Sequence, residues 1–274
     1  MNQDNFLVCR DGDVHYRADG DESGLEQHDG HGVLIAVADG MGGHEDGDIA
    51  SAASVRALSR LYRRGPSSHP ESGMREFVLR AHDRLRSRAA EHGPVNMGTT
   101  LTTAWVLGAH AFWSHVGDSR LYHIRGTTLI RVSRDHTRAE FARRDGLPDP
   151  AYPDFLAQTF LYGSRGLGSD GDLRMDPALD TGRIRLEPGD WMLLCSDGLC
   201  GFLEDAVIMG VLRESSDPQQ AADLLAQRAM NSDSDDNITI LIAQVDELDA
   251  AEFSPGPAPF EEAAETTTAL LFDT

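Results

Sequence analysis

The chain has 274 residues, of which 40% are hydrophobic and 25% charged, which is enough for one large domain or two small ones with a substantial core. The formal net charge of -21 argues against non-specific binding to nucleic acid. No apolar run is long enough to cross a membrane, no apolar leader is visible, and three cysteines do not suggest a disulfide framework, so a cytoplasmic protein in a reducing compartment is expected.

The first part of the chain predicts a hairpin, a buried strand and two helices. Residues 9–31 are polar and rich in Asp and Gly, which is typical of a hairpin with a long loop. The continuous apolar run at residues 33–38 predicts a buried strand. Small and apolar residues recur at helical spacing over residues 45–64, with acids first and arginines last, the order that the helix dipole favours. A second helix is predicted at residues 71–91.

The rest of the chain predicts short strands, a flap, two more helices and a tail. Residues 136–182 are irregular and carry several Pro, Gly and Asp, so a mobile flap with one or two short helices is expected. Residues 247–274 are acidic and carry no arginine, which predicts a disordered tail. Strands are predicted at 98–107, 110–116, 119–125, 128–133, 183–186, 190–195 and 237–245, and helices near 203–213 and 218–231.

Antiparallel strands interleaved with two helical pairs predict an α+β fold. We expect a β-sandwich of two antiparallel sheets flanked by pairs of helices, four layers in the order αββα, with a flap subdomain. One folded domain is expected over residues 1–246.

Three strand ends carry carboxylates. The first apolar run ends in Asp39-Gly40, a later one ends in Asp197-Gly198, and Asp236 stands just before the apolar run 238–243. Asp-Gly is also a common turn pair, so neither pair is decisive alone. A buried strand, however, holds its end residue at a fixed place on the rim of a sheet, and carboxylates brought together there suit hard cations. A metal-dependent enzyme acting on phosphate is the leading interpretation.

Short motifs spread along the chain occur in a shared order. They are Asn2-Gln3-Asp4, Val37-Ala38-Asp39-Gly40-Met41-Gly42-Gly43-His44, Met97-Gly98-Thr99-Thr100, Val116-Gly117-Asp118-Ser119-Arg120, Arg134-Asp135-His136-Thr137, Gly189-Asp190, Leu194-Cys195-Ser196-Asp197-Gly198-Leu199 and Asp236-Asn237-Ile238-Thr239. As a colinear set they resemble the metal-dependent protein phosphatases of the 2C (PPM) type, bacterial branch. The resemblance covers about residues 1–246 and implies that this stretch is a phosphatase catalytic domain.

The resemblance implies two core divalent cations, magnesium or manganese, and a third, weaker one. Asp39 would bridge the two core ions, and the Gly40 carbonyl would complete one of them. Two cations so placed lower the pKa of a bridging water, and the resulting hydroxide attacks phosphorus in line without a phosphoenzyme. The remaining implied ligands are Asp197 and Asp236 on the second core ion, Asp118 with Asp197 on the third, and Asp4 through water.

The implied function is hydrolysis of phosphoserine and phosphothreonine in proteins, in bacterial signalling opposite a Ser/Thr kinase. Phosphorylated proteins are the expected partners, without nucleic acid or membrane, and a monomer is expected. The alternative is a weakly active or inactive regulatory binding module, because the family places a phosphate-binding Arg a few residues before Asn2 and this chain begins at Met1. A calcium-loaded structural domain is disfavoured, since no loop has the dense oxygen spacing of such sites.

Histidines and cysteines have secondary roles in this interpretation. His44 follows the glycine turn and is a candidate to protonate the leaving alkoxide, with water as the alternative donor. His136 is expected to help position the flap. The cysteines argue against a cysteine-dependent phosphatase, because none is followed by a phosphate-cradling loop that ends in Arg.

Overall fold

The fold consists of short strands in antiparallel sheets, with helices outside them. The computed structural model describes residues 2–18, 21–22, 31–41, 46–91, 98–137, 140, 179–232 and 234–248. The elements in chain order are β1 (Asn5–Arg10), β2 (Asp13–Ala18), β3 (Asp21–Glu22), β4 (Val33–Ala38), β5 (Gly40–Met41), α1 (Asp46–Arg64), α2 (Pro70–Glu91), β6 (Gly98–Thr99), β7 (Leu101–Leu107), β8 (His110–Val116), β9 (Arg120–Arg125), β10 (Thr128–Arg131), β11 (Asp180–Arg185), β12 (Trp191–Cys195), α3 (Asp197–Cys200), α4 (Asp205–Glu214), α5 (Pro218–Asn231) and β13 (Ile240–Gln244).

Two large sheets organise these strands. A seven-stranded sheet has the order β11-β8-β7-β4-β1-β2-β3, and a four-stranded sheet has the order β10-β9-β12-β13. Neighbouring strands run antiparallel, and β5 and β6 form a separate short ladder beside the end of β4. The strands β4 and β12 therefore lie in the interior of different sheets.

Alternating side chains of β4 separate two hydrophobic cores. Leu34 and Ala36 belong to the core that α1 and α2 cover, whereas Ile35 and Val37 belong to the core between the two sheets. Successive side chains of a strand point to opposite faces, so a strand buried on both faces must be apolar throughout. This requirement explains the continuous apolar run of β4.

The strand β12 repeats this arrangement in the second sheet. Met192 and Leu194 face the first sheet, whereas Leu193 and Cys195 pack in a third core with residues of α3, α4 and α5. Helices thus cover both outer faces of the sandwich, which confirms the predicted αββα order of layers.

None of the helices in the described ranges combines the length and the apolar character that a membrane crossing requires.

Several boundaries differ from the prediction. The first hairpin joins β1 to β2 earlier than expected, through Asp11 and Gly12, whose φ angles of 53° and 87° suit a tight two-residue turn. The last strand begins at Ile240 because the residues before it make side-chain and loop contacts, and the short helix α3 was not predicted. Most of the predicted flap (138–139 and 141–178), His44 and the tail beyond 248 lie outside the described residues.

A buried carboxylate, Asp190, ties the second sheet to the turn before β12. Its oxygens accept hydrogen bonds from Arg125 Nε and Nη2 (2.8 and 2.7 Å), His123 Nε2 (2.9 Å) and Glu187 N (2.9 Å). Burial alone would raise the pKa of Asp190, but the bonds from Arg125 and His123 hold it at about 2. Asp190 is therefore ionised and links His123, Arg125 and the backbone of Glu187.

We expect Asp190→Ala to lower the free energy of unfolding by about 2 kcal/mol, because it leaves the donors of buried His123 and of partly exposed Arg125 without their acceptor. Urea denaturation at neutral pH measures this loss. The control is Glu76→Ala, which breaks an exposed pair with Arg80 and should cost less than about 1 kcal/mol. Equal losses in the two variants would contradict the role of Asp190.

Candidate metal centre

The segment before β1 carries Asp4 across to the second sheet. The Asp4 side chain is buried, and its Oδ2 accepts hydrogen bonds from Ser196 Oγ at 2.8 Å and Thr239 Oγ1 at 2.7 Å. Ser196 follows β12 and Thr239 precedes β13. The carboxylate of Asp4 is thus held where the two sheets meet, at the edge where β4 and β12 end.

Two threonines hold the backbone of Asp39. Its amide donates to Thr100 Oγ1 (2.9 Å), and its carbonyl accepts from Thr100 N and Thr99 Oγ1 (both 2.8 Å). Thr100 Oγ1 also lies 2.8 Å from Ser119 Oγ, beside Asp118. The Thr99-Thr100 motif therefore joins the loops of Asp39 and Asp118, a role that its local sequence did not reveal.

The predicted carboxylates come together at this edge. Besides burial, the charges of Asp4, Asp197 and Asp118 each raise the pKa of Asp39, so the four carboxylates lie near one another. One oxygen each of Asp118 and Asp197 is buried without a hydrogen-bond partner. A buried acceptor without a donor is costly, and a hard cation is the partner that a carboxylate oxygen accepts in place of one. These residues therefore fit divalent cations.

Burial and mutual repulsion shift the pKa values of these groups upwards. Burial, followed by the charges of Asp4 and Asp197, holds the pKa of Asp39 well above its usual value. Burial and then Asp197 raise the pKa of Asp118 to about 7. Burial raises that of Asp4 to about 6, although hydrogen bonds from Thr239 and Ser196 oppose the shift. Without nearby positive charge the cluster holds protons, and bound cations would displace them.

The glycines of the two Asp-Gly pairs are contact points between loops. A Cβ on Gly40 would meet the backbone of Gly47 at the start of α1 and the carbonyl of Gln3. A Cβ on Gly198 would meet the carbonyl of Asn237. Glycine is required at both positions because backbone from another segment lies against it. The sequence motif thus reflects packing around the site as well as the turn itself.

The surroundings of Asp236 support a ligand role less strongly than those of the other carboxylates. It is exposed, its Oδ1 accepts from Asn237 N at 2.7 Å, and its charge contributes to the raised pKa of Asp197, for which burial is the largest cause. In the described ranges, no three His, Cys, Asp or Glu side chains already enclose a metal position. A ligand role for Asp236 stays a prediction.

His136 connects the two ends of the predicted flap to the loop of Asp118. Its amide donates to Gly117 O (2.7 Å), its Nδ1 accepts from Gly117 N (3.2 Å), and its Nε2 lies 3.4 Å from Asp180 Oδ2. These contacts are consistent with the positioning role predicted for His136.

The cysteines are free, buried thiols. Burial raises the pKa of Cys9 to about 12, and a hydrogen bond with Cys195 together with burial raises that of Cys200. Because the thiolate is the nucleophile, Cys9 and Cys200 are unsuited to covalent catalysis.

A fold of this kind, with acidic strand ends at one edge of a sandwich, can be compared with known proteins. The family model for protein phosphatase 2C matches residues 12–233. The serine/threonine phosphatase Stp of Listeria welshimeri is 28% identical over 236 residues, which are 82% of this chain and 89% of that protein. The structure of PppA of Pseudomonas aeruginosa has a TM-score of 0.63 at 30% identity and covers 76% of this chain and 84% of its own.

A further solved structure contains metal. The catalytic domain of the phosphatase PstP, in complex with 2 manganese ions, has a TM-score of 0.69 at 25% identity and covers 90% of this chain and 93% of its own. The chain therefore belongs to the protein phosphatase 2C family and is a bacterial-type serine/threonine protein phosphatase. The predicted family and fold class are confirmed.

Proposed function

We propose that this phosphatase removes phosphate from phosphoserine and phosphothreonine in proteins with two divalent cations, magnesium or manganese, held at the edge of the sandwich. The observation that carries the proposal is the pair of buried oxygens, one of Asp118 and one of Asp197, that have no hydrogen-bond partner, beside Asp39, whose pKa burial and the charges of Asp4 and Asp197 raise. Such a cluster of like charges is stable in ionised form only around cations.

We assign the ligand roles that the resemblance to the family implies. Asp39 is assigned the bridging position, which the influence of both Asp4 and Asp197 on its pKa supports, and the carbonyl of the adjacent Gly40 is assigned to one of the two ions. Asp197 and Asp236 are assigned to the second ion. After burial, the charge of Asp197 contributes to the raised pKa of Asp118, and we assign these two residues together to a third, weaker ion. Asp4 is assigned to act through water, since Ser196 and Thr239 already occupy its Oδ2.

The chain's own residues prepare the site for hydrolysis. When bound, the divalent cations supply an activated water and offset negative charge on the phosphoryl oxygens. Ser196 and Thr239 keep Asp4 oriented, while Thr100 fixes the backbone of Asp39, so little reorganisation is left for the reaction itself. Protonation of the leaving alkoxide by His44 or by water stays a prediction.

The proposal also covers the protein partners of the enzyme and the cell compartment in which it acts. The free thiols agree with a reducing cytosol, where we place the enzyme as a monomer acting opposite a Ser/Thr kinase or on its targets. Size-exclusion chromatography with light scattering tests the monomer. Phosphoproteomic comparison of a deletion strain with its parent tests the substrates, and an unchanged set of phosphorylated Ser and Thr would contradict the signalling role.

We expect hydrolysis of p-nitrophenyl phosphate and of a phosphothreonine peptide to depend on manganese and to stop in EDTA, because the carboxylates need cations to hold substrate phosphate. The measurement is initial rate against manganese concentration, with re-addition of manganese after EDTA as the control. A protein that binds manganese by calorimetry but hydrolyses neither substrate would overturn the proposal in favour of a regulatory binding module.

A further inference from the structure

The segment that carries Asp4 lies beyond the strand ladder of the first sheet. The strand β1 begins at Asn5, and its register with β2 starts at Leu7 opposite Tyr16. The carbonyl oxygens of Asn2 and Asp4 therefore need donor partners from elsewhere, since unpaired backbone groups in a packed site are costly.

Arg17, in β2, supplies both partners. Its Nη1 donates to Asp4 O at 2.9 Å and its Nη2 donates to Asn2 O at 3.0 Å. By continuation of the register, Arg17 stands opposite Phe6, which shares a strand face with Asp4 two residues away. The guanidinium thus reaches along the face of the sheet from which the Asp4 carboxylate projects.

Other groups hold the same segment from the opposite side. Gln3 N donates to Asn237 Oδ1 (2.7 Å), and Gln3 O accepts from Ser51 Oγ (2.7 Å). The Asp4 carboxylate is held by the second sheet through Ser196 and Thr239. Arg17 therefore completes a set of contacts that fixes Asp4 with respect to both sheets. Within that set, Arg17 binds two carbonyl oxygens with one rigid guanidinium.

We propose that Arg17 is a positioning residue of the metal centre: its guanidinium holds the Asn2–Asp4 segment so that the Asp4 carboxylate stays directed at Asp39 and the cations. The inference rests on the proposed function. None of the motifs that resemble the family includes Arg17. The single ammonium of lysine replaces only in part a planar fork that bonds two carbonyls at once.

Charge and geometry make opposite predictions for this residue. Removing a positive charge beside an acidic cluster, taken alone, would strengthen the binding of a divalent cation. Loss of the clamp would weaken it, because the segment would exchange its bonds to Arg17 for bonds to water and Asp4 would sample more positions. The direction of the change in manganese affinity therefore separates the two effects.

The test compares Arg17→Met, Arg17→Lys and the control Arg10→Ala. Arg10 pairs with exposed Asp11 at the other end of β1, so its loss removes the same charge without touching the segment. Calorimetry should show that Arg17→Met needs about tenfold more manganese for half-saturation. This is the lower end of the loss in metal affinity that is typical when a residue that orients a metal ligand is replaced. Arg17→Lys should lie between, and Arg10→Ala should equal the wild type.

Two readouts do not depend on manganese. Hydrogen exchange of the N-terminal peptide in EDTA should be faster in Arg17→Met than in Arg10→Ala, while a peptide from α5 exchanges equally in both. The thermal midpoints of the variants should lie close together, which shows that each is folded. Unchanged exchange and unchanged or tighter manganese binding in Arg17→Met would overturn the proposal.

Kinetics give the last distinction. A positioning role lowers kcat at a given manganese concentration, and saturating manganese restores part of it. A raised KM for phosphopeptide with unchanged manganese affinity would mean that Arg17 contacts substrate, and the positioning role would be wrong. If wild type and Arg10→Ala are themselves inactive with manganese, the proposed function fails, while the exchange measurement still decides the role of Arg17.

Discussion

Asp39→Asn is expected to lose phosphatase activity by at least about a hundredfold, because even residues that only orient a metal ligand commonly cost 10- to 100-fold. Asparagine keeps the shape of the side chain, but its amide nitrogen is a donor and cannot serve as a second oxygen ligand. The fold should survive, since the contacts of Asp39 with Thr99 and Thr100 are made by its backbone. Calorimetry should show loss of the tightly bound manganese, and circular dichroism an unchanged spectrum.

The matched variant for this experiment is Asp118→Ala. It removes a carboxylate of the same cluster that we assign to the third ion, so the two core ions should still bind while hydrolysis of phosphopeptide falls. If Asp39→Asn keeps the full rate, the bridging assignment is wrong. If Asp118→Ala leaves both the stoichiometry and the rate unchanged, the third site is wrong.

A second large effect is expected when metal is removed and the pH is varied. The folded-state pKa of Asp118 is about 7, above its usual value of 3.8, so between these values the folded state holds a proton that the unfolded state has released. The stabilisation from this proton is complete below pH 3.8, is partly lost at pH 5, and is gone once the pH has risen through 7. Asp118→Asn does not titrate and serves as the reference.

Between pH 5 and 7.5 in EDTA, the free energy of unfolding of the wild type should fall relative to Asp118→Asn by about 2 kcal/mol, since each pKa unit corresponds to about 1.4 kcal/mol. The comparison is needed because buried His115, whose pKa burial lowers to about 3, contributes in the opposite direction. Urea denaturation at the two pH values gives the difference. A constant difference would contradict the burial of Asp118, and manganese should reduce the effect because cations replace the proton.

Much of the architecture was predictable from local pattern. The helices α1 and α5 were predicted within about one residue of their ends, because apolar spacing and the distribution of charge change together at those ends. The boundaries of β1 and β13 were less predictable. β1 opens with the polar Asn5, whose side chain bonds Ser51 in the helix that covers it, and the residues before β13 bond to Ser196 rather than to a neighbouring strand.

The carboxylates of the candidate site were predictable from the sequence, but the residues that hold them in position were not. The Asp-Gly strand ends and the colinear motifs pointed to Asp39 and Asp197. Arg17 and Ser51 lay outside the motifs, and nothing in their local sequence distinguishes them from other polar residues. Their roles depend on which carbonyl lies next to them after folding, and neither periodicity nor turn chemistry encodes that.

The sequence by itself determined the family, the two-sided burial of β4 and β12 and the set of carboxylates, because each depends on residues that are adjacent or regularly spaced. Tertiary structure alone decided that Asp4 of one sheet is held by Ser196 and Thr239 of the other, and that Gly198 lies against Asn237. These contacts join residues far apart in the chain, and they exist only once the two sheets have packed and brought their acidic ends to one edge.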